Sequence, residues 1–206
     1  KLGKPSSYAA MLSGRKEDPQ DFGYRRCFDP KVMTCSLLTN HTELSRQRFA
    51  ATAPGDVEPI SRFKKLSLDG ICNTLRAGTA SDRGAFTSPR PIHPTSPRVI
   101  TVREGARLHS YPDWFRFHAT KWHGFRQIGN SVPPLLARAV GGEILKALRK
   151  KPQKPSEAID LREESLIGIS MSDAAAMFGV SSSVIAPRTR LPRPREEPQE
   201  SVLHGR

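Results

Sequence analysis

The sequence is poor in the residues that build disulfide frameworks, zinc sites and membrane spans. It has three cysteines in 206 residues, none in a CxxC pair, so a reducing cytoplasm is expected and a disulfide framework or zinc site is not. It also lacks an apolar run of about 18 residues, which argues against a transmembrane helix. His118 and His123 stand in an expected loop without a cysteine or carboxylate partner, so no metal site is predicted.

Apolar residues are scarce as well. Hydrophobic residues make up 36% of the chain, which also carries 18 prolines and 15 glycines. Such a composition predicts much irregular structure. Residue 1 is Lys rather than Met, and together these features favour a part of a larger fold.

Positive charge, by contrast, is abundant. The formal net charge is +13 at pH 7. An excess of this size favours polyanionic partners, nucleic acid first. A solvated basic surface without a specific partner is the alternative reading of the same charge.

Local signals predict several helices and three short strands. A helix is expected over residues 43–51, and Thr101 and Glu104 form a capping box that starts another, ending before Pro112. Short strands are expected over residues 32–38 and 71–75, and a third is expected to end at residues 99–100.

Pro133-Pro134 suits the first turn of a further helix. Its apolar residues recur every four positions and form one stripe: Leu136, Val140, Ile144 and Leu148. Gly141 and Gly142 each cost roughly 1 kcal/mol relative to Ala inside a helix, which suggests that another backbone approaches closely there.

The C-terminal residues divide into three kinds of segment. Residues 152–160 are expected to be a linker, and residues 172–185 to be a capped helix, a turn at Gly179 and a second short helix. Half of a helix-turn-helix and a packed helical hairpin are both open for that segment. From Pro187 onward, arginines among prolines predict a disordered basic tail that contacts phosphate.

Three segments follow one another in an order typical of one enzyme family. They are Asn73–Gly78, Arg90–Phe115 and Gln127–Gly141. In that order they resemble the end of the target-recognition region and the ninth and tenth motifs of the DNA cytosine-5 methyltransferases. The stretches Thr39–His41 and Ser45–Phe49 are similar to bacterial members, less specifically.

The resemblance implies an α/β fold of which this chain forms the C-terminal part, a small irregular β-rich recognition lobe followed by helices. Residues 1–89 would be a partial target-recognition region, and residues 90–151 would complete the methyltransferase domain. Residues 152–206 would hold the linker, the hairpin and the tail.

The family's reaction is implied with the fold. A cysteine thiolate adds to C6 of a cytosine flipped out of the duplex, and the methyl group of S-adenosylmethionine moves to C5. The family's nucleophile follows a proline, whereas Cys27, Cys35 and Cys72 follow Arg, Thr and Ile. We therefore expect no catalytic residue in this chain, no methyl transfer by the chain alone, and three buried or partly buried thiols.

Two binding roles are carried over from the resemblance. Asn130 and Ser131 are the candidates for S-adenosylmethionine contact, with a helix-capping turn as the alternative. Arg76, Arg83 and Arg90 are the candidates for DNA contact, through guanine or through phosphate.

The ninth motif implies a structural role. Arg103, Glu104 and Arg107 are expected to be buried scaffold charges, and Asp113 to begin a packing corner with the two aromatic residues after it.

The expected partners are double-stranded DNA and a catalytic N-terminal half, either upstream in the same polypeptide or as a separate subunit. The expected location is the bacterial cytoplasm, in association with the nucleoid. A non-catalytic basic DNA-binding module is the alternative function.

Overall fold

The computed structural model describes residues 6–29, 31–77, 90–118, 120–161 and 165–181. The chain forms two compact units, Lys1–Gly168 and Ile169–Arg206. Within the described ranges the first unit contains α1 (Ser7–Leu12), β1 (Arg25–Cys27), α2 (Glu43–Ala51), α3 (Val102–Leu108), α4 (Lys121–Gly129), α5 (Pro134–Ala147), β2 (Ala158–Asp160) and a 3-10 turn over Ser165–Gly168. The second unit contains α6 (Met171–Met177).

Regular β-structure is sparse in the described residues, so the expected β-rich recognition lobe is wrong. The sheet has two strands, and β1 runs parallel to β2 with Arg25 opposite Ala158. Isolated bridges supply the other pairing, from Val57 to Lys64 and from Ile92 to both Lys65 and Val99. β2 itself arises where a linker was expected.

None of the three predicted strands forms, and the one expected to end at residues 99–100 is reduced to the isolated bridge between Ile92 and Val99. Cys35 lies at φ +62°, a left-handed conformation that interrupts an extended run over 32–38. Its carbonyl accepts a hydrogen bond from the Arg103 amide instead of a strand partner. In the segment 71–75, Ile71 is 92% exposed, Leu75 is buried in the main core and Cys72 packs against that core, so core contacts replace sheet pairing.

The three helices predicted within the first unit are confirmed. The helix expected over residues 43–51 is α2, and α3 starts with the predicted capping box between Thr101 and Glu104. α5 begins at Pro134, as expected from the proline pair. Their signals are local: a cap, a first-turn proline or an apolar period lies within a few residues of each helix start.

The main core lies between α3 and α4. It contains Leu66, Leu75, Ile100, Val102, Ala106, Phe117, Phe125 and Ile128. Glycines allow the close contact: a Cβ at Gly105 would lie 2.9 Å from Phe125, and one at Gly124 would lie 2.7 Å from Val102. The two helices therefore meet through glycine positions on each side.

A second, smaller core joins α2 to the bridged segments. Phe49, Ile92 and Val99 are its buried members, and Phe63 packs against them. The buried Lys65 ammonium donates to the carbonyls of Phe49 and Thr52, at 3.0 and 2.8 Å, and to that of Ala50. It thereby satisfies the carbonyls that the end of α2 leaves without helical partners.

α5 exposes its apolar stripe. Leu136, Val140 and Ile144 are each more than half exposed. A Cβ at Gly141 or Gly142 would meet no atom within 4 Å, so the close backbone approach expected there does not occur within the described residues.

The second unit is small. α6 is capped by Ser170, whose hydroxyl accepts from the Asp173 amide, and the chain turns at Gly179 with φ +63°. The predicted second short helix extends into residues 182–185, which lie outside the described ranges, as does the basic tail. None of the helices in the described ranges is both long and apolar enough to cross a membrane.

Candidate functional site

Arg103 is the most buried charged residue of the ninth motif, with 1% of its surface exposed. Its guanidinium donates to the Thr34 carbonyl and hydroxyl at 3.2 and 3.0 Å. It also donates to the carbonyls of Pro112 and Phe115 at 3.1 and 2.7 Å, and lies 4.0 Å from the Asp113 carboxylate. One side chain on α3 thus holds two loops that are distant in sequence.

Glu104 and Arg107 also use their charges internally. Glu104 receives two hydrogen bonds of 2.8 Å from Arg98, and Arg107 donates to Asp113 at 2.6 and 2.9 Å. Burial raises the pKa of Glu104, but hydrogen bonds from Arg98 and Thr101 outweigh it and hold the pKa below its ordinary value. These contacts suit a scaffold, but the side chains of Glu104 and Arg107 are 32% and 34% exposed, so the expectation of buried charges holds for Arg103 and is wrong for the other two.

Asn130 and Ser131 form the connection between α4 and α5. Asn130 is the C-cap of α4 and its side chain is exposed. The Ser131 hydroxyl donates to the Ile128 carbonyl at 2.7 Å, which is the capping turn that the sequence offered as the alternative. The two roles are compatible, because the Asn130 amide faces outward and the serine oxygen keeps acceptor capacity.

His118 and His123, the two histidines considered for metal binding, were expected in one loop. The expectation of a shared loop was wrong. His123 lies in α4, whose start carries no side-chain cap and which the sequence signals missed. The rings of His118 and His123 lie 4.6 Å apart. Among the residues that the structure describes, no group of three His, Cys, Asp or Glu lies close enough to hold a metal ion.

The cysteines differ in environment. Cys27 is exposed, contrary to the expectation of burial, because it lies in the edge strand β1. The Cys35 thiol donates to the Phe117 carbonyl at 3.3 Å. Burial raises the pKa of Cys72, which disfavours the thiolate that a nucleophile needs.

The three arginine candidates for DNA contact are not all placed. Arg76 is exposed at the end of a described range, and Arg83 lies outside the described residues. Arg90 is half-buried, and its Nε atom is buried without a hydrogen-bond partner among the described residues. Burial lowers the pKa of Arg90, because removing the charged guanidinium from water costs free energy.

Arg90 belongs to a cationic cluster that sequence reasoning missed. We use the name basic cluster for His41 and the three cations whose charges act on it, Lys121, Arg46 and Arg90. His41 accepts a hydrogen bond from the Val99 amide at 3.2 Å through Nε2. The only earlier signal was the weak similarity of residues 39–49 to bacterial methyltransferases, which named no role for these side chains.

The surroundings of His41 and His109 predict that the free energy of unfolding depends on pH. Burial lowers the pKa of His41, with a further contribution from Lys121, and burial lowers the pKa of His109. Between the lowered folded values and the ordinary value of 6.5, the unfolded chain binds more protons. The histidine contribution to stability is therefore fully present above about pH 6.5 and is lost as the pH falls through the folded values.

We expect the free energy of unfolding in urea to be smaller at pH 5.5 than at pH 7.5. His41→Gln keeps an acceptor for the Val99 amide but does not titrate, so it is expected to flatten this dependence. His118→Gln is the matched substitution. An unfolding free energy equal at both pH values in the unsubstituted chain would contradict the assignment.

Comparison with known proteins identifies the family. The sequence pattern described as C-5 cytosine-specific DNA methylase matches residues 30–146. The segments that form the α3–α4 core, the ninth-motif scaffold and the α4–α5 connection lie inside this match. The chain belongs to the C-5 cytosine-specific DNA methylase family, as its motifs predicted.

Individual relatives agree with this assignment. The Type II methyltransferase M.XorII of Xanthomonas oryzae is 78% identical over 206 residues, which is 98% of this chain and 49% of that protein. DNA (cytosine-5)-methyltransferase 1 of Mus musculus is 43% identical over 111 residues, 50% of this chain and 6% of its own length.

A solved structure agrees as well. A protein described as a DNA modification methyltransferase encoded within a prophage of E. coli has 42% sequence identity and a TM-score of 0.50. The similarity covers 57% of this chain and 30% of that chain. The chain thus spans about half the length of the Xanthomonas relative and less of the others.

Proposed function

We propose that this chain is the C-terminal part, or the small subunit, of a DNA cytosine-5 methyltransferase. The complete enzyme would transfer a methyl group from S-adenosylmethionine to C5 of cytosine in a specific duplex site. The observation that carries the proposal is the 78% identity to a Type II methyltransferase over nearly the whole chain. The proposed location is the bacterial cytoplasm, associated with the nucleoid.

The proposed division of labour leaves the nucleophile elsewhere. Each of the three cysteines follows a residue other than proline, and the ninth-motif charges are engaged by internal partners. We therefore expect this chain to bind and position rather than to react, and to be inactive without a catalytic half.

S-adenosylmethionine would supply the methyl group that the reaction transfers. The residues proposed to hold its methionine end are Asn130 and Ser131. Support comes from the exposed Asn130 amide and from the Ser131 oxygen, which can still accept a hydrogen bond while its proton is donated to Ile128. This turn, which α4 and α5 hold from both sides, would orient the cofactor.

Double-stranded DNA is the proposed macromolecular partner. Arg76, Arg83 and Arg90 are the proposed contacts, supported by a net charge of +13. Extracting a cytosine from the duplex costs a few kcal/mol, and contacts from these arginines to the flanking DNA would help to offset that cost.

The experiment mixes this chain with the half of the Xanthomonas relative that it does not match. Transfer of tritiated methyl from S-adenosylmethionine to duplex DNA is measured for each component and for the mixture. We expect no transfer by this chain alone and transfer on mixing. Methyl transfer by the chain alone would overturn the division of labour. Sequence-specific DNA binding by the chain alone, with no activity on mixing, would favour the non-catalytic DNA-binding module.

The exposed apolar face of α5 supports a missing catalytic half. A stripe of this kind on a surface helix is typical of a face that another element covers. Relatives about twice as long offer the covering element, and Gly141 flanks the stripe where a backbone could approach.

Val140→Gln combined with Ile144→Gln tests this face. Both side chains are more than half exposed, so the unfolding free energy of the chain is expected to change by less than about 0.5 kcal/mol. Because about half of each side chain remains to be buried, an interface would gain about 1 kcal/mol from each, so affinity for the catalytic half is expected to fall about 30-fold.

The matched control is Lys146→Gln on the same helix, where the side chain is exposed and outside the stripe. Binding is measured by titration of one component into the other. Equal affinities for the double variant and the control would rule out the stripe as the contact face.

A further inference from the structure

The basic cluster brings three segments of the chain together. His41 stands just before α2, and its ring packs edge-on against Phe49 at 5.1 Å while it accepts from the Val99 amide. Lys121 opens α4 and donates to the Thr39 hydroxyl at 2.6 Å. Arg90 precedes Ile92, whose backbone pairs with Val99. The cluster therefore rests on the second core.

The cations of the basic cluster act on one another. The pKa of His41 is lowered by burial and then by the charges of Lys121, Arg46 and Arg90. The pKa of Lys121 is lowered by burial and then by Arg90. Because His41 accepts a hydrogen bond at Nε2, its neutral form is the one that fits, and it leaves three like charges around an uncharged ring.

Carboxylates in the part of the chain that the structure describes do little to neutralise this charge. Arg46 lies 3.9 Å from Glu43, and both side chains are well exposed. Within the described ranges neither Arg90 nor Lys121 has an ion-pair partner, and the Arg90 Nε atom is buried without an acceptor. Gathering unpaired cations disfavours the charged forms, so a bound anion would relieve the repulsion.

We infer that the basic cluster binds a phosphate of the DNA backbone, with Arg90 and Lys121 as the direct contacts and Arg46 beside them. This rests on the proposed function and makes Arg90 a phosphate contact rather than a base contact. Arginine forms paired hydrogen bonds to phosphate oxygens and lysine acts as a compact charge. A base edge would offer only partial charges, which neutralise cations poorly.

The first test measures DNA affinity against salt concentration. Arg90→Gln combined with Lys121→Gln should reduce the magnitude of the slope of log K against log [salt] by about two, since each phosphate contact contributes about 0.9. The affinity loss should be the same for cognate and unrelated duplexes. Lys121→Gln alone should give about half the change in slope.

The matched control is Lys150→Gln combined with Lys151→Gln, which removes the same charge from exposed positions after α5. Its slope should equal that of the unsubstituted chain. Equal reductions in both double variants would show a general charge effect and overturn the inference. A loss confined to one DNA sequence would mean base reading and would also overturn it.

The second test uses inorganic phosphate and the NMR signals of the His41 ring at constant ionic strength. Phosphate should shift these signals saturably and raise the pKa of His41, and the Arg90 and Lys121 variant should abolish both effects. A phosphate response without DNA binding would keep the anion site and contradict the proposed DNA contact. DNA binding without a His41 response would keep the proposed function and overturn the site.

Discussion

Arg103→Met is expected to lower the free energy of unfolding by at least about 3 kcal/mol. Removing one member of a buried charged network costs about 3–5 kcal/mol, and buried acceptors left without donors add to the loss. Here the carbonyls of Thr34, Pro112 and Phe115 would lose their donor together. Since a domain is stable by only about 5–15 kcal/mol, such a loss removes much of the total.

Lysine at this position should rescue little. Arg103→Lys keeps the charge, but a single ammonium cannot reproduce the planar fork that reaches two loops at once. Urea unfolding followed by tryptophan fluorescence provides the measurement, because Trp114 lies in the loop that Arg103 holds.

Arg107→Met is the matched control on the same helix. Arg107 makes two hydrogen bonds to one partner, Asp113, and its side chain is 34% exposed. Asp113 would keep Arg103 at 4.0 Å after the substitution, so a cost of about 1–2 kcal/mol is expected, smaller than that of Arg103→Met. Equal costs for the Arg103 and Arg107 variants would contradict the role of Arg103 as the buried hub.

Gly129→Ala is expected to detach the segment around Arg76 and Ala77 from the end of α4. A Cβ at Gly129 would lie 2.7 Å from the Ala77 Cα and would collide with the backbone atoms next to it. Backbone cannot rotate away as a side chain can, so either the segment or the helix must move. Leu75, which is 7% exposed in the main core, would move with the segment.

The expected loss for Gly129→Ala is about 2–4 kcal/mol, the range for overpacking together with withdrawal of a buried leucine. Hydrogen exchange at residues 71–77 should accelerate more than exchange in α3, since the effect begins locally. Unchanged exchange at these amides would contradict the close approach.

Gly142→Ala provides the contrasting substitution. It also lies in a helix, but a Cβ there meets no atom within 4 Å. Removing the entropic cost of glycine from a helix interior should stabilise the chain by up to about 1 kcal/mol. The two glycine substitutions are therefore expected to have opposite signs.

Predictions from sequence succeeded where the signal was local. α2, the capping box of α3 and the first turn of α5 each depend on residues within a few positions of the helix end. α4 was missed because Thr120 makes no side-chain cap and Gly124 interrupts the helical pattern. Gly124 is explained only by its contact with Val102 on another helix.

Strand predictions failed for a related reason. A strand requires a neighbouring strand to pair with. In the segment 32–38 the Cys35 carbonyl bonds to the Arg103 amide instead, and the backbone just after the segment 71–75 packs against Gly129. β1 and β2, by contrast, are separated by more than a hundred residues, a pairing that no local pattern announces.

Sequence alone determined the family of this protein, because the order of the motifs and the identity of their residues are read directly from the chain. It also determined the helix starts, since caps and first-turn prolines act within a few residues. Only the tertiary structure decided which charges are paired. Arg103 and Arg90 both lie in the segment that resembles the ninth motif, yet one is held by three carbonyls and the other has a buried nitrogen with no acceptor among the described residues. That difference depends on segments that meet through folding, because charge neutralisation acts across space rather than along the chain.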